Sequence, residues 1–175
     1  IENWPKWEKN IVNICGEKYS GKSHLCNIFI KKNKAIKLNE TEINTDLLKE
    51  IKLHQNIVID NFRNEGDENL LYSLFNLVDQ DNKYLLINSE VPINEINFKL
   101  KDLISRSKNC LFAKIQKPDD DLMFALILKN FSDKQITIDK KIIDFIVKRI
   151  DRSYSKILEF IYKIDELSLK KKKPI

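Results

Sequence analysis

The stretch Gly16-Glu17-Lys18-Tyr19-Ser20-Gly21-Lys22-Ser23 reads G-x-x-x-x-G-K-S and constrains the fold more than any other part of the chain. It follows the apolar run Ile11–Cys15 and leads into His24-Leu25-Cys26-Asn27-Ile28-Phe29-Ile30. This is the pattern of a phosphate-binding P-loop. A buried strand is followed by glycines that let backbone N–H groups curl around an anion, then by a helix whose positive N-terminal end faces the phosphates. The competing reading is a chance glycine turn, but the chain has only 3 glycines and two of them fall at the required spacing. Gly16, Glu17, Lys18, Tyr19, Ser20, Gly21, Lys22, Ser23 and His24 are therefore expected to hold ATP or ADP. Lys22 would reach the β- and γ-phosphates as a point charge, and the Ser23 hydroxyl would bind the Mg²⁺ that bridges them.

At 175 residues the chain has room for one α/β core and a small appended subdomain. Charged residues make up 33% and apolar ones 42%, and no apolar run approaches a membrane span. A soluble, cytoplasmic protein without membrane contact is expected. Cys15, Cys26 and Cys110 form no C-x-x-C and lie in or beside apolar runs, which supports neither a disulfide frame nor a zinc site. His24 and His54 each lack a second ligand at useful spacing. The net charge is +5, most of it owed to the lysines at 170–173. With no aromatic residues alternating with that run, direct DNA binding is expected to be weak at most. The chain begins at Ile1 without a methionine or a signal-peptide pattern, so its N-terminus is expected to be incomplete.

Trp4-Pro5-Lys6-Trp7 places two rings where they can cover an edge of the core. Next come a short strand over 35–38 and a helix over 45–53 capped by Asn44 or Thr45. Asn56–Phe62 is a continuous β-branched run of the kind found in strands buried on both faces, and it ends in a carboxylate. Asp60 thus sits where a Walker B aspartate holds Mg²⁺ through its waters; as an alternative it is an ordinary strand-ending turn residue. Asn61 follows it. An amide cannot accept a proton from attacking water as a carboxylate would, so slow intrinsic hydrolysis is expected.

Glu68–Gln80 carries Leu70, Leu71, Leu74, Phe75, Leu77 and Val78 at helical spacing. The next strand, 84–87, ends in Asn88-Ser89-Glu90, which makes Asn88 a candidate sensor of the γ-phosphate; a plain strand-to-turn transition is the alternative. Arg106 follows Asp102 at i,i+4, where the two could pair on a solvated face. A strand over 110–115 completes five that alternate with helices, which predicts a three-layer, mostly parallel P-loop sheet. Lys117-Pro118-Asp119-Asp120-Asp121 marks the boundary between an α/β core over 1–116 and a three-helix lid with a basic tail over 117–175. The lid helices are read over 122–131, 139–150 and 153–169. Their apolar stripes run through Ile142, Phe145, Ile146 and Ile150, and through Ile157, Ile161, Ile164 and Leu167. A helical lid on a P-loop core is the AAA+ arrangement.

These residues resemble the DnaA-type branch of AAA+ proteins, and within it the shortened Hda-like regulatory inactivators. The resemblance covers nearly the whole chain. It rests on Trp-Pro-Lys-Trp at 4–7, Gly-Lys-Ser-His-Leu at the P-loop, and Ile-Asp-Asn with the following Gly-Asp-Glu within 59–68. Asp-Leu-Ile-Ser-Arg at 102–106, Lys-Pro-Asp-Asp, Arg-Ile-Asp-Arg-Ser at 149–153 and the closing Ile-Asp-Glu-Leu extend it. It implies that Arg106 is an arginine finger supplied in trans to a nucleotide held by a neighbouring subunit. It also implies a regulator of chromosomal replication initiation that stimulates hydrolysis of ATP bound to a DnaA-type initiator, together with the DNA polymerase sliding clamp. A homodimer is a further implied assembly. The second sensor of that family is an arginine at the start of the last lid helix. Ser155 aligns with it here and Arg152 stands about one turn earlier, so Arg152 is the candidate nucleotide contact. Two other readings stand beside this one: an autonomous P-loop ATPase of the initiator or helicase-loader type that hydrolyses its own ATP, and a small metabolite kinase.

Overall fold

The computed structural model describes residues 4–134 and 136–171, with side chains up to residue 167. The lysines at 170–173 lie outside the described side chains. In chain order the strands are β1 (Ile11–Cys15), β2 (Ile36–Leu38), β3 (Asn56–Phe62), β4 (Tyr84–Ser89) and β5 (Leu111–Lys114). The helices are α1 (Lys22–Asn33), α2 (Thr45–Ile51), α3 (Glu68–Gln80), α4 (Lys101–Lys108), α5 (Asp120–Asp133), α6 (Lys140–Val147) and α7 (Tyr154–Lys171). All four strand pairings are parallel, and the order across the sheet is β2-β3-β4-β1-β5. Compact contacts divide the chain into two units. The first takes in the residues up to Gly16 and Gly21–Ile115; the second takes in Glu17–Ser20 and the chain from Gln116 onward.

In the first unit, strand alternation sends Ile57, Ile59, Leu85 and Ile87 to one face, against Leu71, Leu74, Phe75 and Val78 of α3 and Leu103 of α4. Val12, Ile14, Val58 and Leu86 go to the other face, against Cys26 and Phe29 of α1. The central strands are apolar on both faces because helices cover both. Trp4 and Trp7 pack here as edge cover: the Trp7 ring stacks on Phe29 at 5.3 Å between centroids, and Trp4 meets Tyr84 edge-on at 5.9 Å. Asn13 is the polar exception within β1. Its amide donates to Ile87 O (3.1 Å) and Ser89 Oγ (2.9 Å), while its oxygen accepts from Ile93 N (3.0 Å). Full pairing is what makes a buried amide tolerable, and these bonds lock the end of β4 beside β1.

In the second unit, Met123, Ile127 and Phe131 of α5, Ile143, Ile146 and Val147 of α6, and Ile157 and Ile161 of α7 make a separate core. The expected stripe on α6 is corrected here: Ile142 and Phe145 are 52% and 57% exposed, and Ile143 and Val147 are buried with Ile146. The 142–147 run is apolar at five of its six positions, so spacing alone could not select the face that meets α5 and α7. Leu167 is likewise exposed. The element ends also differ from expectation. Asn44 is the cap of α2, accepting from Asp46 N (3.0 Å) and Leu47 N (2.9 Å). That helix ends at Ile51 and not at 53, because Leu53 N and His54 N turn to carbonyls three residues back. Asp119 and Asp139 cap α5 and α6 through their side chains, so α5 begins two residues earlier than expected and α6 one residue later. Among the described residues no helix is long and apolar enough to cross a membrane.

Candidate nucleotide-binding site

The P-loop runs between the end of β1 and the start of α1, with Gly21 at φ 92° and Tyr19 at φ 65°. Gly21 precedes the first helical residue, and a Cβ there would meet nothing within 4 Å, so open space faces the turn. The α1 N-cap is Gly21, which offers no side chain to cap the first turn. The Ser20 hydroxyl is buried without a hydrogen-bond partner. Lys22 is buried and donates from Nζ to Gly16 O at 2.8 Å. Burial pulls its ammonium below the usual lysine range, against the opposing pull of Glu90 and Asp60. Lys18, Tyr19, Ser23 and His24 lie on the exposed side of this segment.

Asp60 comes to the P-loop from β3. The β3–β4 register is irregular between Ile59 and Phe62, and Asn61 takes φ 66°. This break presents Asp60 at the C-terminal end of the strand, where ligands of open α/β sheets bind. Ser23 Oγ donates to Asp60 Oδ1 at 2.9 Å. Asn88, buried at the end of β4, donates its amide to the same Oδ1 and accepts Asn61 N–H at 2.7 Å. Lys37, on the edge strand β2, reaches Asp60 Oδ2 at 2.7 Å. Burial raises the Asp60 pKa, but the bonds from Lys37, Ser23 and Asn88 outweigh it and hold the carboxyl below its ordinary value. The Cys26 thiol accepts from Asn88 at 3.4 Å, and burial pushes its pKa up to about 11, so it stays protonated.

The structure therefore joins Ser23, Asp60, Asn61 and Asn88 in one hydrogen-bonded network and pairs Lys22 with Gly16, while other expected site residues have different partners. Glu17 accepts from Ser153 Oγ (3.0 Å) and Tyr154 N–H within the second unit. Arg152 forms a two-point pair with Asp120, at 2.9 and 3.1 Å. Arg106 does not pair with Asp102. Its guanidinium bonds Asp79 of α3 and lies 5.6 Å from the centre of the Tyr72 ring. It lines a cleft of about 180 Å³ with Glu8, Lys9, Asn10, Ile11, Asp79 and Asn109. Ile11 is the first residue of β1 and Cys15 the last, so that cleft opens at the end of the strand away from the P-loop, about 13 Å off along the chain.

Lys37 and the bridging role of Asn88 were not visible in the sequence. The signal for Lys37 was a charge inside the short apolar stretch Ala35-Ile36-Lys37-Leu38. Among the described residues no three His, Cys, Asp or Glu side chains gather as a metal cluster. A divalent cation at Ser23 and Asp60 would draw most of its ligands from phosphate and water, as Mg²⁺ does with nucleotides. The paired Ser23 and Asp60 oxygens and the open space at Gly21 leave room for such a group, although Lys37 already holds Asp60 Oδ2.

A five-stranded parallel sheet in the order β2-β3-β4-β1-β5, with the P-loop leading from β1 into α1, is the P-loop AAA+ fold. The chain is similar to stretches of the chromosomal replication initiator protein DnaA. It is 27% identical to that of Chlorobaculum tepidum over 100 residues, covering 57% of this chain and 20% of the relative. With that of Nostoc punctiforme it shares 26% over 166 residues, covering 81% and 36%. It thus spans between a fifth and a little over a third of these proteins' lengths. Domain III of the Thermotoga maritima replication initiation protein DnaA superposes with a TM-score of 0.72 at 18% identity, covering 96% of this chain and 80% of that one. A replication initiator DnaA bound to AMPPCP and single-stranded DNA gives 0.71 at 16% identity, covering 93% and 58%. No family model matches the chain.

Proposed function

We propose that this chain is an adenine-nucleotide-binding AAA+ regulator of chromosomal replication initiation, of the Hda-like kind. In this reading it acts on the ATP held by a DnaA-type initiator and performs little chemistry of its own. The supporting observation is the pairing of Asp60 with Asn61. The residue after the Walker B aspartate has an amide side chain, and its N–H is bound to Asn88. No carboxylate stands there to orient and deprotonate a water. Gly16 to His24 would hold ADP or ATP, Lys22 would contact the phosphates, and Ser23 with Asp60 would hold Mg²⁺ when it is present. Bound Mg²⁺ would neutralise phosphate charge; Asn88 keeps the Asp60 carboxylate in place through a hydrogen bond to Oδ1. Arg152, paired with Asp120, is the candidate second-sensor contact to this nucleotide.

Arg106 cannot serve a nucleotide on its own P-loop from the far end of β1, and this favours action in trans. Its guanidinium would enter a neighbouring subunit's nucleotide site and neutralise charge on the transferring phosphoryl group. The sliding clamp is the second partner of this reading, and a second copy of the chain is another candidate neighbour.

The test combines the protein, DNA-loaded clamp and ATP-bound initiator, and follows conversion of the initiator's ATP. Arg106→Ala should reduce stimulation by on the order of 10³, with folding checked by circular dichroism. Stimulation equal to the parent's removes the finger. Lys22→Ala should weaken adenine nucleotide binding at least about tenfold, and unchanged affinity removes the P-loop reading. Turnover by the isolated protein at the rate of an ordinary AAA+ motor would favour the autonomous ATPase instead.

A further inference from the structure

Asp60 has its two oxygens occupied in different ways. Oδ1 faces inward and accepts from Ser23 Oγ at 2.9 Å and from the buried Asn88 amide. Oδ2 is bound by Lys37 Nζ at 2.7 Å. The carboxylate is fixed, with its side chain only 10% exposed, whereas the lysine side chain is 51% exposed and can swing into water. Both residues line a polar cleft of about 590 Å³ beside β2, together with Asn39, Glu40, Asn61 and Arg63. The other carboxylates of that cleft have partners of their own, Glu65 through a 3.9 Å pair with Arg63. Glu40 is buried and accepts the N–H groups of Arg63 (2.8 Å) and Asn64 (3.0 Å), and Glu42 accepts from Asn39 at 3.4 Å. Asp60 is therefore the carboxylate that Lys37 neutralises.

We propose that Lys37 is a specificity-determining residue of the nucleotide site: its ammonium supplies to Asp60 the positive charge that Mg²⁺ would supply, so the site holds nucleotide without a divalent cation. This rests on the nucleotide-binding reading above and adds the site's metal preference. A metal drawn to Asp60 must first displace a charge-assisted hydrogen bond, which is among the stronger single contacts in a protein. Asn61 reinforces the effect, because an amide in place of a second carboxylate leaves Asp60 alone to attract a cation. The metal-free preference suits a protein that uses nucleotide to set its shape, since a nucleoside diphosphate lacks the γ-phosphate oxygen that helps anchor Mg²⁺.

The experiment measures affinity for a fluorescent adenosine diphosphate in EDTA and across a Mg²⁺ titration, for the full chain, Lys37→Met and Lys37→Arg. Binding of Mn²⁺, read by its paramagnetic resonance signal, reports the metal directly. The parent should bind nucleotide nearly as well in EDTA as in Mg²⁺. Lys37→Met should become metal-dependent, with its Mn²⁺ midpoint lowered about tenfold, and Lys37→Arg should behave like the parent. Equal metal dependence in the parent and Lys37→Met overturns the proposal. So does a loss of affinity in Lys37→Met that is the same with and without metal, since the lysine would then be a plain phosphate contact. If the parent binds no nucleotide under either condition, the nucleotide-site reading fails and this inference with it.

Discussion

A Cβ on residue 66 would lie 2.5 Å from the carbonyl oxygen of Glu40, so only glycine lets the loop after β3 pass that close to the backbone. The Glu40 side chain ties the same place from the other direction, through the N–H groups of Arg63 and Asn64. Together they fix the segment that follows Asp60 and Asn61, so a residue with no ligand role supports the position of the site. Gly66→Ala should destabilise the protein by about 1–3 kcal/mol, read as a lower urea midpoint. An unchanged midpoint would mean that the backbone shifts freely here and that the loop is not fixed by close approach. At this scale the site was only partly legible. Lys22, Ser23 and Asp60 follow from a motif and from the end of an apolar strand, both of which are local patterns. Asn88 was a candidate from the polar end of its strand, but its bond to Asp60 from β4, like that of Lys37 from β2, depends on sheet order, which no local pattern encodes.

Glu68 joins two elements. It is the first residue of α3, and its carboxylate accepts Lys99 N–H (3.1 and 2.8 Å) and Leu100 N–H (2.8 Å) at the entrance to α4, whose own N-cap, Leu100, offers no side-chain acceptor. Farther along the same two helices, Asp79 holds Arg106. Glu68 therefore helps set the register of the helix that carries the proposed finger. Burial raises the Glu68 pKa, but the N–H groups of Leu100 and Lys99 and the Asn64 amide outweigh it, leaving the carboxyl below its ordinary value. The group binds its proton less readily when folded, so its stabilisation is complete above the unfolded value near 4.5 and is lost as pH falls through the lower folded value. Glu68→Gln should cost on the order of 1 kcal/mol at neutral pH, a modest figure for a partly solvated acceptor. That gap should close as pH drops below about 4.5. Parallel stability curves for the two proteins from pH 7 to pH 3 would show that the charge contributes nothing. The helices themselves were legible where one stripe is apolar, as in α3. On α6 two neighbouring stripes are apolar, and contact with α5 and α7 makes the choice.

The two contact-defined units have separate apolar cores, and no residue of the α5–α6–α7 cluster belongs to either cluster flanking the sheet. The change from alternating strands and helices to helices alone is visible in the sequence at Lys117-Pro118. The return of Glu17 to Ser153 and Tyr154 is not, because it joins residues more than a hundred positions apart. Separate cores give the protein two sources of cooperativity that can be measured apart. The chain's 2 tryptophans are Trp4 and Trp7, and both pack on Phe29 and Tyr84 of the first unit. Tryptophan fluorescence therefore follows the sheet, whereas far-ultraviolet circular dichroism follows helices in both units. Ile127 is fully buried in the second core, and truncating such a side chain to alanine removes about 2–5 kcal/mol. Ile127→Ala should leave the fluorescence-detected urea transition in place and shift part of the dichroism transition to lower urea. If both signals move together by the same amount, the two cores unfold as one cooperative unit, and the division into two cores has no thermodynamic counterpart.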